Sequence, residues 1–235
     1  MNQNQKSEFA VEVDDLMKVY RTGSVRFTAL HDVSLRVKRG EMVSVVGPSG
    51  SGKTTLLNLI GLLDRPTKGR VFIDGTEASR LDEDRKSYIR NKKIGFVFQS
   101  YNLIHRLKTI ENVELPLIAS GKSPGERRRL AKKMLTSVGL ESKFFNRPYE
   151  LSAGEQQRVA ICRALVTDPT LVLGDEITGN VDTKTSAQIM ELLKEINRTA
   201  GRTFVLITHN PELARQAHRI VYIRDGMIEK EEIPN

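Results

Sequence analysis

The sequence has few of the features that stabilise secreted proteins or carry a chain across a membrane. It contains a single cysteine, Cys162, so no internal disulfide can form. Its most apolar stretch, residues 56–63, is interrupted by Asn58 and Gly61, and a span needs roughly 20 apolar residues. The polar start, MNQNQKS, lacks the apolar segment of a signal peptide. We therefore expect a cytoplasmic protein whose membrane role, if it has one, depends on a partner.

Metal sites of the zinc type are not predicted either. The four histidines, His31, His105, His209 and His218, are scattered, and with one cysteine they give no spacing typical of zinc ligands. Cys162 itself is expected to be a small buried helix residue without thiol chemistry.

The charge balance is basic, with 37 Lys and Arg against 29 Asp and Glu and a net charge of +8. Much of this charge lies in stretches such as residues 126–133, ERRRLAKK. Such a stretch could attract nucleic acid or anionic lipid, but it is more often the solvated face of a helix. We expect no specific nucleic-acid partner.

Alternating apolar runs and helical patterns predict one α/β domain over residues 1–235. Several of the runs are unbroken, which is typical of parallel strands covered on both faces. From residue 100 to residue 163 the apolar spacing is instead helical, so we expect an inserted helical subdomain there. The predicted strands are residues 9–13, 34–37, 42–46, 70–73, 94–98, 171–174, 204–208 and 220–224.

Residues 47–54, GPSGSGKT, match the phosphate-binding pattern G-x-x-x-x-G-K-[ST], with a strand before them and an apolar helix after them. Glycines let successive backbone N–H groups turn inward, and the helix N-terminus adds its positive end. Lys53 would supply a charge at the outer phosphates, and the Thr54 hydroxyl a ligand for Mg²⁺. The expected nucleotide contacts are Gly47, Pro48, Ser49, Gly50, Ser51, Gly52, Lys53, Thr54 and Thr55.

Two adjacent carboxylates, Asp175 and Glu176, end the apolar run LVLGDE. Alone they would indicate only an acidic turn, but open α/β sheets place ligands at this edge. Asp175 is predicted to hold Mg²⁺, and Glu176 to orient or deprotonate the attacking water. His209, which ends FVLITH, and Gln99, which follows the strand at 94–98, have similar positions. A lone histidine is usually structural, yet here His209 could contact a γ-phosphate, and the Gln99 amide could ligate Mg²⁺.

The segment LSAGEQQRVAICRAL, residues 151–165, completes a strong resemblance to the ABC ATPases. It is similar to their signature motif, which implies a head-to-tail dimer in which Ser152, Gly154 and Glu155 contact ATP held by the other subunit. Ser152 would also cap a helix, so a capped amphipathic helix explains the same residues. Both interpretations can hold together.

The resemblance assigns further roles by position. Tyr20 looks like the aromatic residue that stacks on adenine, although a packed strand residue is the alternative. Gln99 resembles the Q-loop glutamine, His209 the switch histidine and Asp182 the D-loop aspartate. Asp182 equally suits the N-cap of a helix that begins near residue 183. The implied catalytic set is Glu176, His209 and Lys53.

The resemblance implies the fold of a P-loop NTPase, in which a RecA-like core carries a small antiparallel β subdomain and the helical insert. FVFQSYNLI, ENVELPLI and TGNVDTKTS look most like the branch that serves macrolide-export and lipoprotein-release permeases. Implied are ATP, Mg²⁺, a second copy of the chain and a membrane permease that holds it at the inner face of the membrane. The alternatives are a cell-division-type ATPase that transmits force without transport and a soluble ATPase acting on nucleic acid.

Three positions depart from the usual family pattern. Ala153 replaces a glycine of the signature, which requires a negative φ there. Glu155 replaces a glutamine, which is usual in this branch. Ile177 replaces the proline that commonly follows the catalytic glutamate, and this frees Glu176 from the extended conformation that a proline favours. We hypothesise slow basal turnover.

Overall fold

The computed structural model describes residues 7–234, and the polar residues 1–6 from which we argued against a signal peptide lie outside them. Among the residues described, no helix combines the length and apolar character needed to cross a membrane. The described residues contain two β-sheets, and their buried apolar side chains form three hydrophobic clusters.

The larger sheet contains the strands on which the predicted site depends. Its order is β10-β9-β3-β8-β7-β6, with parallel pairing from β9 through β6 and antiparallel pairing of β10 with β9. Four of the parallel strands are nearly continuous apolar runs, as their burial requires. The strands are β3 (Met42–Val46), β6 (Ile94–Phe98), β7 (Leu171–Asp175), β8 (Thr203–Ile207), β9 (Arg219–Arg224) and β10 (Met227–Glu232).

The smaller sheet is antiparallel, in the order β2-β1-β4-β5. Its strands are β1 (Phe9–Thr22), β2 (Val25–Lys38), β4 (Lys68–Ile73) and β5 (Thr76–Glu77). We expected the first strand to end at residue 13, but β1 continues to residue 22. The polar Asp15 is accommodated in an irregularity of the ladder, with φ of 47°, where its N–H donates to Ser34 Oγ at 2.9 Å.

The described part of the chain contains seven α-helices, and the prediction by sequence named neither α2 nor strand β10. The helices are α1 (Lys53–Ile60), α2 (Glu83–Lys93), α3 (Thr109–Ala119), α4 (Pro124–Ser137), α5 (Ala153–Leu165), α6 (Thr183–Ala200) and α7 (Pro211–Ala214). Helix α2 has a low mean hydropathy and buries mainly Lys86, so it lacks the apolar stripe by which helices are recognised.

Helices α3, α4 and α5 follow one another between β6 and β7 and enclose a cluster of their own. Helix α5 joins this cluster to the sheet. Its Val159, Ala160 and Cys162 pack into the helical cluster, whereas Ile161 and Ala164 pack with the strands. Helix α5 therefore packs against both the helical cluster and the large sheet.

Candidate active site

The phosphate-binding segment lies between β3 and α1, as its pattern predicts. Gly50 and Gly52 have φ of 78° and 101°, so the loop turns in the left-handed region before α1 begins at Lys53. Lys53 Nζ donates to the carbonyls of Gly47 at 2.9 Å and Pro48 at 2.8 Å, which folds the ammonium back over the loop.

The loop has no room for side chains at two of its glycines. A Cβ at Gly47 would lie 2.0 Å from the carbonyl oxygen of Ile223, and one at Gly52 would lie 2.5 Å from that of Ala29. Ser51 Oγ is buried and has no hydrogen-bond partner within residues 7–234. The backbone of the loop is thus packed tightly against the backbone at Ile223 and Ala29. Pro48, Ser49, Gly50 and Thr54 remain exposed and can contact a ligand.

The charges of Lys53 in the phosphate loop and of Asp175 and Glu176 at the end of β7 influence the pKa values of Lys53 and Asp175. Burial lowers the pKa of Lys53, although the nearby Glu176 and Asp175 oppose this effect. Burial and the Glu176 charge raise the pKa of Asp175, and Lys53 lowers it only in part. The structure therefore brings together Lys53, Asp175 and Glu176, in surroundings where the carboxylates would be stabilised by added positive charge.

Glu176 and His209, which are 33 residues apart in the chain, meet directly. His209 Nδ1 lies 2.8 Å from Glu176 Oε2, and the His209 side chain is 71% exposed. Glu176 has φ of 48°, so it is not extended, in line with the freedom that Ile177 was expected to give it. An exposed histidine on a carboxylate at the strand edge differs from the usual buried structural histidine.

Gln99 follows β6 and contacts a residue that sequence reasoning did not single out, Asn180. Asn180 Nδ2 donates to the backbone carbonyl of Gln99 at 2.9 Å, and the Gln99 side-chain nitrogen Nε2 donates to Asn180 Oδ1 at 3.4 Å. Tyr101 Oη also donates to the Asn180 carbonyl, at 3.3 Å. The side-chain nitrogen of Gln99 is thereby engaged, and its side-chain oxygen Oε1 is the atom that could accept a metal ion.

A second missed residue, Arg163, holds the same segment from α5. Its guanidinium donates to the carbonyls of Asn102 at 2.5 Å and Tyr101 at 2.7 Å. Tyr101 and Asn102 have φ of 61° and 49°, an uncommon pair of left-handed residues. No local pattern identifies this contact, because Arg163 is simply one of several basic residues on an amphipathic helix.

Tyr20 lies on β1, opposite Phe27 of β2, and is 38% exposed. Its hydroxyl donates to Asp64 Oδ2 at 3.0 Å. Burial raises the pKa of Tyr20, a hydrogen bond with the Thr55 side chain lowers it, and Asp64 raises it further. The ring is therefore next to the start of α1 and partly open to a ligand, unlike a strand residue packed in the core.

The signature segment begins α5 with the expected cap. Ser152 Oγ accepts from the Glu155 N–H at 3.3 Å, and Glu155 Oε2 accepts from the Ser152 N–H at 2.8 Å. Ala153 is the first residue of the helix and is not among the residues of positive φ, so its Cβ is tolerated. A Cβ at Gly154 would lie 2.5 Å from Thr185 Cγ2. In the described chain, Ser152 and Glu155 make no hydrogen bond or ion pair with the phosphate loop of the same molecule.

Asp182 is the N-cap of α6, as the alternative interpretation anticipated. Its carboxylate accepts from the Thr185 N–H at 2.9 Å and from the Thr185 hydroxyl at 2.6 Å. The capping hydrogen bonds lower the pKa of Asp182. Asp182 and the signature helix thus meet at Thr185, which also faces Gly154.

The oxygen atoms of Thr54, Gln99 and Asp175 are of the type that Mg²⁺ prefers. Within residues 7–234, no group of three His, Cys, Asp or Glu side chains could hold a metal ion alone. Magnesium at phosphate sites needs only one or two protein carboxylates, because phosphates and water complete its shell. The raised pKa of Asp175 also fits a place where a cation offsets negative charge.

Comparison with known proteins identifies the family. The family model described as ABC transporter matches residues 30–179. The lipoprotein-releasing system ATP-binding protein LolD of Bordetella pertussis is 46% identical over 220 residues, covering 94% of this chain and 95% of its own. The macrolide export ATP-binding/permease protein MacB of Syntrophobacter fumaroxidans is 45% identical over 223 residues, which are 94% of this chain and 31% of its own.

The solved structures agree with the sequence comparison. The dimeric ATP-binding cassette MJ0796 of Methanocaldococcus jannaschii, in a post-hydrolysis state bound to ADP and phosphate, superposes with a TM-score of 0.89 and 47% identity. The match covers 96% of this chain and 99% of that one. The chain belongs to the ABC transporter family and is an ATP-binding, ATP-hydrolysing subunit of the MacB and LolD type.

Proposed function

We propose that this chain binds Mg²⁺·ATP at the edge of the large sheet and hydrolyses it to drive a separate membrane permease. The contact between Glu176 and His209 carries the catalytic part of the proposal. The backbone N–H groups of residues 47–55 bind the phosphates, and Lys53 leaves the Gly47 and Pro48 carbonyls to contact the β- and γ-phosphates. Tyr20 stacks on the adenine.

Thr54, Asp175 and Gln99 would hold the magnesium ion, directly or through water. When bound, the ion offsets the charge that develops on the phosphate oxygens. Asn180 orients Gln99 for this role by occupying its amide nitrogen. The desolvated Asp175 gains most from the ion, because its carboxylate lies beside the charge of Glu176.

Glu176 orients the attacking water and accepts its proton as the water oxygen bonds to the γ-phosphorus and the bond to the β-phosphate oxygen breaks. His209 holds the Glu176 carboxylate through Nδ1 and presents its exposed ring to the γ-phosphate. General-base catalysis of this kind contributes about 10²- to 10⁴-fold in rate. Loss of the Glu176 carboxylate is therefore expected to stop turnover without preventing nucleotide binding.

A head-to-tail dimer explains why the signature lies apart from the phosphate loop of its own chain. Ser152, Gly154 and Glu155 would contact the γ-phosphate held by the opposite subunit, at the positive end of α5. The relative MJ0796 is dimeric in its ADP- and phosphate-bound form. Asp182 caps α6 next to Thr185 and would lie at the junction of the two subunits.

The permease partner is supported by the relative MacB, whose single chain is named as both ATP-binding protein and permease. The relative LolD, which the match covers to 95%, is named as the ATP-binding protein of a lipoprotein-releasing system, and this name supports a permease carried by a separate protein. Such a partner would hold the chain at the inner face of the cell membrane. Because the identities to LolD and MacB are nearly equal, the proposal is the export or lipoprotein-release class as a whole.

A groove between the large sheet and the helical subdomain suits contact with the permease. It has a volume of about 520 Å³ and lies between α2 and β6 on one side and α3 and α5 on the other. Leu63, Phe96 and Pro116 contribute apolar surface, with Arg90 and Arg163 at its polar positions. A permease segment seated there would follow any movement of residues 100–163 relative to the sheet.

The basic stretch at residues 126–133 gives little support to the alternative of a soluble ATPase acting on nucleic acid. Arg128 of α4 pairs with the buried Glu114 of α3 at 2.7 Å, and Glu126 pairs with Lys122 just before α4. The exposed basic residues of the stretch are Arg129, Lys132 and Lys133. One of the basic residues therefore ties α4 to α3, and the exposed ones form a solvated helix face, the interpretation that the sequence already favoured.

The experiment is purification of the tagged chain from detergent-solubilised membranes. We expect an integral membrane protein to co-purify, to be lost with Leu63→Glu in the groove and to be retained with Val25→Glu, an exposed apolar residue of β2 outside it. Equal capture by both variants would refute the groove, and release of the wild-type chain from membranes without any integral protein would refute the permease partner.

A further inference from the structure

A lysine and an aspartate surround Tyr20, and none of the roles proposed above uses them. Lys18 lies two residues earlier on β1, and Asp64 lies in the loop after α1. Lys18 Nζ donates to Asp64 Oδ1 at 2.6 Å and stands 4.8 Å from the centre of the Tyr20 ring. We infer that Lys18 and Asp64 are positioning residues that fix the Tyr20 ring as the base-stacking surface, an inference that rests on the proposed role of Tyr20.

Lys18 determines which face of the ring is available. Its side chain is only 11% exposed, so the ammonium is held against the ring and does not extend into solvent. It also donates to the Arg65 carbonyl at 2.8 Å, which fixes it from a second side. A base can therefore stack only on the face of Tyr20 that Lys18 does not cover. A cation over one face also favours an electron-rich purine on the other.

Asp64 fixes the ring within its plane. One carboxylate oxygen accepts from Lys18 and from the Arg65 N–H at 2.6 Å, and the other accepts from the Tyr20 hydroxyl at 3.0 Å. With both oxygens engaged, the carboxylate cannot rotate without losing a hydrogen bond. Tyr20 is held at its hydroxyl end by the same group that holds the cation over its face.

The loop that carries Asp64 connects this arrangement to the phosphate loop. It follows α1, whose first residue is Lys53, and it is tied back to β1 where the Val19 N–H donates to Thr67 Oγ1 at 2.9 Å. Helix α1 is a short rigid spacer with the phosphate loop at one end and the Asp64 loop beyond the other. Lys18 and Asp64 therefore set the distance between the base and the phosphates, which a flexible Tyr20 alone would not.

An ordinary surface ion pair is the competing explanation, and such pairs contribute little to stability. The two explanations differ in what the pair affects. A positioning pair changes the affinity for a ligand that has a base, whereas a purely structural pair changes thermal stability or affects every ligand equally.

The test compares binding of ATP with binding of inorganic triphosphate, which has no base, both with Mg²⁺ and measured by titration calorimetry. Lys18→Met and Asp64→Asn should each weaken ATP binding by about three- to tenfold and leave triphosphate binding unchanged. The matched control is Lys38→Met, which removes an exposed lysine of β2 that pairs with Glu8 at 3.3 Å, far from Tyr20 along the same sheet. It should affect neither ligand.

A double variant relates the effect to the ring. Lys18→Met should add nothing to Tyr20→Ala if Lys18 acts through Tyr20. If Tyr20→Ala leaves the ratio of ATP to triphosphate affinity unchanged, the proposed role of Tyr20 is wrong. The positioning inference is overturned if Tyr20→Ala lowers that ratio but Lys18→Met and Asp64→Asn leave it unchanged. This holds whether the two variants affect neither ligand or weaken the binding of both equally. Should Lys18→Met unfold, Asp64→Asn, which keeps the size of the side chain, decides the same question.

Discussion

Replacing Ile177 by proline tests how the backbone at Glu176 sets the rate of hydrolysis. Glu176 has φ of 48°, and an L-residue in this region costs about 1–2 kcal/mol relative to ordinary conformations. A proline at 177 would disfavour the observed conformation and favour the extended one. The hypothesis of slow basal turnover takes the observed left-handed conformation of Glu176, with its His209 contact, as the resting state and the extended conformation as the one that hydrolyses ATP, so a bias of about 1 kcal/mol raises the basal rate roughly fivefold.

The same substitution has a separate cost in stability. Ile177 is 6% exposed and packs in the cluster under β7 and β8. Loss of its branched side chain should destabilise the fold by about 1–2 kcal/mol, or lower the Tm by about 2–8 °C for a chain of this size. Ile177→Val is the control, because it removes one methyl group and leaves the backbone free, so it should lower Tm slightly without changing the rate.

The assay is phosphate release by the purified chain without a permease, at saturating Mg²⁺·ATP and below the Tm of every variant. We expect Ile177→Pro to exceed the wild type and Ile177→Val to equal it. Equal rates for wild type and Ile177→Pro would show that the conformation of Glu176 does not limit turnover, and the hypothesis of slow basal hydrolysis would be wrong.

Three further predictions follow from the site and the core. Gly47→Ala should abolish ATP binding and lower stability, since its Cβ would meet the Ile223 carbonyl at 2.0 Å, whereas Gly125→Ala, with open space, should bind ATP normally; calorimetric titration and thermal melts compare the two. Cys162 is fully buried and burial raises its pKa, so it should react with a thiol reagent only on unfolding, and rapid labelling of the native protein would contradict its position. Because the folded pKa of Asp175 is raised, its ionisation costs stability once the pH exceeds that pKa, and the cost disappears below the ordinary value near 3.8. Asp175→Asn should therefore raise the Tm of the nucleotide-free protein at pH 7 and lose the stabilisation by Mg²⁺·ATP, and an unchanged or lower Tm without ligand would refute this.

Local patterns were sufficient for the parts of the fold that depend on neighbouring residues. The phosphate loop, the cap at Ser152 and the buried strands β3 and β7 each follow from a few consecutive residues. Asp182 as an N-cap is of the same kind. The sequence also indicated that Glu176 and His209 would share an edge, because both follow apolar runs of a parallel sheet.

Contacts between distant segments could not be predicted in this way. Asn180 meets Gln99 across 81 residues, and Arg163 meets Tyr101 across 62. Both depend on how the loops after β6 and β7 turn, and those turns use left-handed residues such as Tyr101 that no composition rule identifies. Lys18 and Asp64 are 46 residues apart, and in the sequence they look like ordinary surface charges. Their contact follows only from how the small sheet and α1 pack together.

The central claim is that two copies of the chain share ATP between the phosphate loop of one and the signature of the other. Glu176→Gln keeps the size of the side chain but removes the base, so this variant should bind Mg²⁺·ATP without hydrolysing it. By gel filtration with light scattering, we expect it to shift from 26.5 kDa to twice that mass on addition of Mg²⁺·ATP, and not on addition of ADP. A second change, Ser152→Arg, should abolish the shift. A Glu176→Gln variant that stays monomeric while saturated with ATP would contradict the account.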